Sequence, residues 1–181
     1  MGVMPMPFTR PERARQTVDF GVFDCGAPQI DDWLRCHANV SNRNGSAALY
    51  LSHCAQNGEL AGVYTLSSTT VVRSETHAPW MRRNAPILIP TVLLGQLAVA
   101  RQFQHQGLAK ALVRDAVDRT LRLALSVGVR ALVVDPLNDA LTSFYESLGF
   151  EGVVADSHMY FRMPKYPRPE ADSSGCCNTS L

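Results

Sequence analysis

Two apolar runs, Thr91–Val99 (TVLLGQLAV) and Val129–Asp135 (VRALVVD), flank a long stretch of helical periodicity, and this arrangement constrains the fold more than any other feature. Leu108, Leu112, Ala116, Leu121 and Leu125 form the helical stripe between Gly107 and about Val127, and Gly128 fits its stop. The two flanking runs read as buried strands. Gly95, inside the first of them, predicts a bulge or a close backbone approach.

The remaining elements extend this pattern. Val18–Phe23 is predicted as a first strand, followed by a helix with Pro28 near its first position. Ile30, Trp33 and Leu34 form the apolar face of that helix, which continues to His37 or Ala38 and ends at Asn42–Gly45. Ala47–Cys54 and Leu60–Val72 are β-rich, and Asn57-Gly58 between them favours a tight hairpin. A long connection runs from Arg73 to Pro90, broken by Pro79, Pro86 and Pro90. Asn138 or Asp139 caps a second helix through Leu148, and strands at Phe150–Ala155 and Met159–Met163 close the domain. The order predicts an α/β fold: one domain over 18–163 with a mixed, partly parallel sheet of six to seven strands and flanking helices. Residues 1–17 are expected to lie as a loose arm, and 164–181 (PKYPRPEADSSGCCNTSL) as a disordered tail.

Composition narrows the class. The chain has 181 residues, 46% of them hydrophobic and 18% charged, which suits a globular domain rather than a disordered one. No run approaches the roughly 18 apolar residues of a membrane span, and the start lacks the apolar core of a secretion signal. Five irregularly spaced cysteines argue for a reducing, cytoplasmic setting. No Cys or His spacing matches a metal site, so no metal is expected. The net charge of +1 conceals an uneven distribution. From Thr76 to Arg114 there is no Asp or Glu, yet Arg82, Arg83, Arg101, Lys110 and Arg114 fall there, a local field suited to an anionic ligand.

The loop between the first apolar run and the long helix, Ala100–Gly107, would expose backbone N–H groups at a helix N-terminus, a site for phosphate to which Lys110 and Arg101 add charge. Neither a P-loop nor a dinucleotide fingerprint is present. Gln104-His105-Gln106-Gly107-Leu108-Ala109 instead resembles the acetyl-coenzyme A signature [RQ]-x-x-G-x-[GA] of the GNAT N-acetyltransferases, and it follows a strand ending Leu97-Ala98-Val99. Asn138 and Tyr145 in NDALTSFYESLGF look like the second cofactor motif of that superfamily. Phe23-Asp24-Cys25-Gly26, Asp32-Trp33-Leu34, Gly62–Ser67 and Leu93–Val99 are similar to the GNAT toxins of bacterial toxin–antitoxin pairs, with departures at Gln96, Ala100 and Ala109.

The resemblance implies an acetyl-CoA-dependent N-acetyltransferase that acetylates the α-amine of aminoacyl-tRNA and blocks translation. It further implies a homodimer neutralised by a small DNA-binding antitoxin. Tyr145 becomes the candidate proton donor to the departing thiolate. Leu97, Ala98, Val99, Gln104, Gln106, Gly107, Leu108, Ala109, Lys110 and Asn138 become the candidate cofactor site. The strand Thr91–Val99 carries no carboxylate to act as a strong base, which favours an α-amine (pKa about 7.7–8.0) over a lysine (about 10.4). His77 and His105 are further possible proton acceptors. Arg35, Arg43, Arg73, Arg82 and Arg83 are the candidate tRNA contacts, and Trp80 either stacks on a base or packs under its loop. Two alternatives stay open: a small amine or protein N-terminus as acceptor, or a non-catalytic domain that binds acetyl-CoA or a partner.

Overall fold

The computed structural model describes residues 7–153 and 155–165. Seven strands form one sheet in the order β1-β2-β3-β4-β5-β7-β6. They are β1 (Glu12–Arg13), β2 (Ala48–His53), β3 (Leu60–Val72), β4 (Leu88–Val99), β5 (Ala131–Val134), β6 (Glu151–Gly152) and β7 (Met159–Arg162). Five helices accompany them: α1 (Pro28–Trp33), α2 (Asn39–Asn44), α3 (Pro79–Arg82), α4 (Leu108–Leu123) and α5 (Asp139–Glu146). Only β4 and β5 are parallel, as expected where a long helix crosses between two buried strands. The other strand pairs are antiparallel.

The sheet is covered on both faces. On one, Leu108, Leu112, Val113 and Ala116 of α4 pack with Val92, Leu94, Leu132, Val134 and Tyr145. On the other, Val63 and Val71 share a face of β3 by the two-residue alternation of a strand but belong to separate clusters. Val63 packs with Leu34, Ala38 and Leu49, and Val71 packs with Ala78, Met81, Ala85 and Ile89. Thr65, Ser67 and Thr69 occupy the same face between the two covers.

The sheet has seven strands, but the first differs from the one predicted. Val18–Phe23 is not a strand. Both backbone polar groups of Val18 are bonded by the Asn39 side chain at 2.9 Å, Phe20 and Phe23 turn into the core together, and Val22 stands wholly exposed. The arm supplies the edge strand instead, Glu12 and Arg13 pairing with Leu51 and Tyr50. It is held by Ser52 Oγ donating to the Thr9 carbonyl at 2.7 Å and by Arg119 Nη2 donating to the Pro11 carbonyl at 2.7 Å. It is therefore an ordered part of the domain from Pro7 onward.

The helix expected after Pro28 runs from α1 into α2 through a π-helical turn, Leu34–Ala38, that buries Leu34 and Ala38. β4 begins three residues before its predicted start. Pro90 is tolerated because β5 joins only at Val92, and no neighbour on that side asks Pro90 for an N–H. The strand predicted at Phe150–Ala155 shrinks to Glu151–Gly152, and α4 ends at Leu123 rather than Val127. Residues 166–181 of the predicted tail lie outside the described residues.

Candidate active site where the central strands part

β4 and β5 are in register only at Val92↔Leu132 and Leu93↔Val133. Beyond Leu93, β4 continues for six residues paired with β3 alone, so one backbone edge of this half-strand carries no ladder. The split coincides with a bulge. Tyr64 pairs with Leu97 but Leu66 pairs with Leu94, so Gly95 and Gln96 together oppose Thr65. Thr65 Oγ1 accepts from the Gln96 N–H at 2.9 Å, and a Cβ on Gly95 would stand 2.6 Å from that oxygen. Glycine is required by close approach, as its place in the apolar run predicted. Gly95 is exposed, and Leu93, Gln96 and Leu97 are half-buried, in the middle of a central strand. Here the second half of β4 parts from β5.

The Gly107 loop borders it. Gln104 Nε2 donates to the carbonyls of Val99 (2.9 Å) and Cys25 (2.8 Å), stapling the loop to the strand end. His105 (φ 60°) and Gly107 (φ 84°) adopt left-handed conformations that turn the chain into α4. No side chain caps α4, so the amides of Leu108, Ala109 and Lys110 remain for a ligand. Over 16 residues the helix dipole presents about half a positive charge there. Lys110 is exposed on the first turn, and Gln106 Nε2 folds back onto the Gln102 carbonyl at 3.1 Å. Arg101 is paired with Asp24 at 3.0 Å, so its charge is compensated locally.

α5 supplies the opposite wall. Asn138 Oδ1 accepts from the Leu141 N–H at 2.9 Å as its N-cap, and Asn138 itself is exposed. The Tyr145 ring is 4% exposed and packs edge-on against Phe144 and Phe150, with centroids 5.2 and 5.3 Å away. It shares a cluster with Leu94 and Val99 of β4 and Leu108 of α4. Its hydroxyl makes no hydrogen bond among the described residues. Burial pushes its pKa up to about 12.

The model for the Acetyltransferase (GNAT) family matches residues 19–150. The chain belongs to the GNAT acetyltransferase family. It is 34% identical, over 80% of its length and 85% of the relative, to the tRNA-acetylating toxin of Mycobacterium tuberculosis (strain ATCC 25618 / H37Rv). A solved structure of AtaT complexed with acetyl-methionyl-tRNAfMet superposes with a TM-score of 0.76 at 28% identity, covering 86% of this chain and 94% of AtaT. The AtaT Y144F mutant bound to acetyl-CoA and the C-terminus of the antitoxin AtaR superposes at 0.70, with 29% identity over 86% and 92%.

In this GNAT domain three of the five candidate arginines share one groove. Arg73, Arg82 and Arg83 converge with His77 and Pro79 on a groove of about 570 Å³. It lies where β3 ends and β4 begins, and β4 spans on the order of 35 Å from there to the Gly107 loop. Arg82 and Arg83 have no acidic or hydrogen-bonding partner for their side chains among the described residues, whereas Arg73 Nη1 donates to the Ala85 carbonyl at 2.8 Å. Arg35 is instead bonded to Asp32 (3.3 Å) and the Phe23 carbonyl (3.1 Å), and Arg43 stands exposed at the end of α2. The acid-free stretch therefore divides between the two ends of β4. Trp80 takes the packing role: its Nε1 donates to Glu151 at 2.9 Å and its ring meets Tyr160 edge-on at 6.2 Å.

Two features beside this groove escaped the sequence. One is Asp156, a carboxylate in the β6–β7 loop whose side chain is 1% exposed, bonded to His77 at 2.6 Å. The other is Arg130, whose Nη2 donates to the carbonyls of Trp80 and Arg83, both at 2.6 Å. Neither sits in a motif, and only the fold brings them to residues some 50 or more positions away. Among the described residues no three His, Cys, Asp or Glu side chains gather as a metal site, and no helix is long and apolar enough to cross a membrane.

Proposed function

We propose that this GNAT domain transfers the acetyl group of acetyl-CoA to the α-amine of aminoacyl-tRNA, acting as a cytoplasmic toxin that blocks translation. The observation that carries the reading is the pairing of two ends: an uncapped helix N-terminus at one end of β4 and an arginine-lined groove at the other, with the opened strand between. The similarity to a tRNA-acetylating toxin and to AtaT with its acetylated tRNA supports the choice of acceptor.

Each role follows from local chemistry. The amides of Leu108, Ala109 and Lys110, with the Lys110 ammonium, hold the pyrophosphate. The free edge of Leu97, Ala98 and Val99 receives the pantetheine arm, and its N–H groups polarise the thioester carbonyl. Gln104 acts through the loop it staples, Gly107 through its turn, and Gln106 and Asn138 line the two walls. The neutral amine attacks the carbonyl carbon: a C–N bond forms, the C–S bond breaks, and one proton moves from nitrogen to sulfur. Tyr145 delivers that proton from its hydroxyl and regains one from the amine. At a pKa of about 12 the phenolate is costly beside a thiol of about 8.5, so the two transfers are concerted. Arg73, Arg82 and Arg83 hold phosphates of the acceptor end, with Arg35 and Arg43 as outlying contacts. The domain works as a homodimer restrained by a small DNA-binding antitoxin; the likeness to AtaT bound to the C-terminus of AtaR supports the antitoxin.

The test is transfer of label from acetyl-labelled acetyl-CoA to charged tRNA. Label should appear on the aminoacyl group, and Tyr145→Phe should lower kcat by about 10²–10⁴ while acetyl-CoA still binds. Absence of label at saturating acetyl-CoA sinks the proposal.

A further inference from the structure

The connection 73–87, which carries all three arginines of the groove, is tied near its start to the β6–β7 loop by a single acid. The Asp156 carboxylate accepts from Thr76 Oγ1 at 2.9 Å, from the His77 N–H at 3.0 and 3.1 Å, and from the Tyr160 hydroxyl at 3.0 Å, and it pairs with His77 Nδ1 at 2.6 Å. Burial alone would push this carboxyl up, but the bonds from His77, Thr76 and Tyr160 outweigh it and hold the group below the usual carboxylate range. Four donor groups thus converge on two oxygens, from the connection on one side and β7 on the other.

Immediately after Thr76 and His77 the chain builds the groove itself. Thr76 Oγ1 accepts from the Ala78 N–H at 3.3 Å as α3 begins. Ala78, Met81 and Ala85 plug into the sheet, which turns Arg82 and Arg83 outward. Arg130 ties the middle of the segment to β5 through the carbonyls of Trp80 and Arg83. The start of the segment hangs on Asp156, and His77, fixed through Nδ1, lines the groove beside Arg73.

We propose that Asp156 is the positioning residue of the acceptor groove, setting the geometry in which Arg73, His77, Arg82 and Arg83 meet tRNA phosphate. The proposal deepens the tRNA reading and rests on it. None of the bonds Asp156 makes involves the Gly107 loop or Tyr145, so its effect falls on the acceptor and not on acetyl-CoA.

The test compares the full-length wild type with Asp156→Ala, Asp156→Asn and Tyr160→Phe, using charged tRNA at several salt concentrations. Acetyl-CoA affinity is measured in parallel by calorimetry. Asp156→Ala should raise the KM for tRNA about tenfold and lower the slope of log KM against log salt by about 0.7–0.9 for each phosphate that the groove no longer holds. Its kcat and acetyl-CoA affinity should match wild type. The Asn and Phe variants, which keep the shape, should give smaller shifts in the same direction and carry the comparison if the Ala variant does not fold. A tRNA KM that stays at the wild-type value in all three variants overturns the proposal. So does a parallel loss of kcat, tRNA KM and acetyl-CoA affinity, which marks a general structural role. A wild type that labels tRNA while the variants match it removes the positioning role alone. A wild type that labels no tRNA removes both readings.

Discussion

Tyr145 combines a buried ring with a hydroxyl that has no hydrogen-bond partner among the described residues, and in the proposed transfer that combination decides how it works. Its neighbours are aromatic and apolar, so nothing beside it stabilises a phenolate, and its pKa rises to about 12 through burial alone. Tyr145, the proposed proton donor, therefore stays protonated throughout the ordinary working range. The group that titrates there is the acceptor amine, with a pKa of about 7.7–8.0. Because the amine must be neutral to attack, kcat/KM should rise tenfold per pH unit below about 7.5 and level off above about 8.5. No falling limb from Tyr145 should appear up to about pH 9.5. A rate that declines between about pH 8 and 9.5, measured as initial rates on freshly charged tRNA, would contradict this assignment. A second buried tyrosine plays a different part. Tyr64 donates to Asp115 at 2.5 Å and Arg119 pairs with the same oxygen at 2.7 Å, while its guanidinium also holds the Pro11 carbonyl. Burial, then Asp115, pushes the Tyr64 hydroxyl far up. This network fastens the chain at the first strand to α4.

Among the elements, β4 does most to shape the site. Its first half is an ordinary central strand, and its second half parts from β5 at a bulge that only glycine permits. Gly95→Val should therefore drive Thr65 and Gln96 apart, costing about 1–3 kcal/mol in chemical denaturation and weakening acetyl-CoA binding. Unchanged stability and affinity would mean that the bulge does not shape the cleft. β4, α4 and β5 are legible in the sequence because two apolar runs flank a long helical period whose start Gly107 marks. Gly95 is legible because a glycine that interrupts an apolar run gives up side-chain burial, a loss that close backbone approach accounts for. The first strand is not legible. Glu12 and Arg13 have no apolar alternation to read, and Val18 and Phe20 imitate one while Asn39, far along the chain, takes up the backbone of Val18. The Gly107 loop and Tyr145 can be found from local motifs. The bonds of Asp156 to Thr76 and His77 cannot, because their partners lie about 80 residues apart and meet only when β7 pairs with β5.

For the whole molecule, a net charge of +1 is reconciled with an anionic substrate by placement. Arg101, Arg119 and Arg35 are each matched by an acid, whereas Arg82 and Arg83 at one end of β4, and Lys110 at the α4 N-terminus near the other, have no acidic partner among the described residues. Two anionic ligands can then approach opposite ends of one strand and meet at its opened middle. The decisive comparison is kcat/KM for an aminoacyl-tRNA against that for the same amino acid as a simple ester, each followed as salt is raised. The tRNA should be strongly preferred at low salt and lose that preference steeply as salt rises, while the ester shows little salt dependence. Equal kcat/KM values for the two acceptors, or a tRNA rate indifferent to salt, would rule out an acceptor groove that works through phosphate.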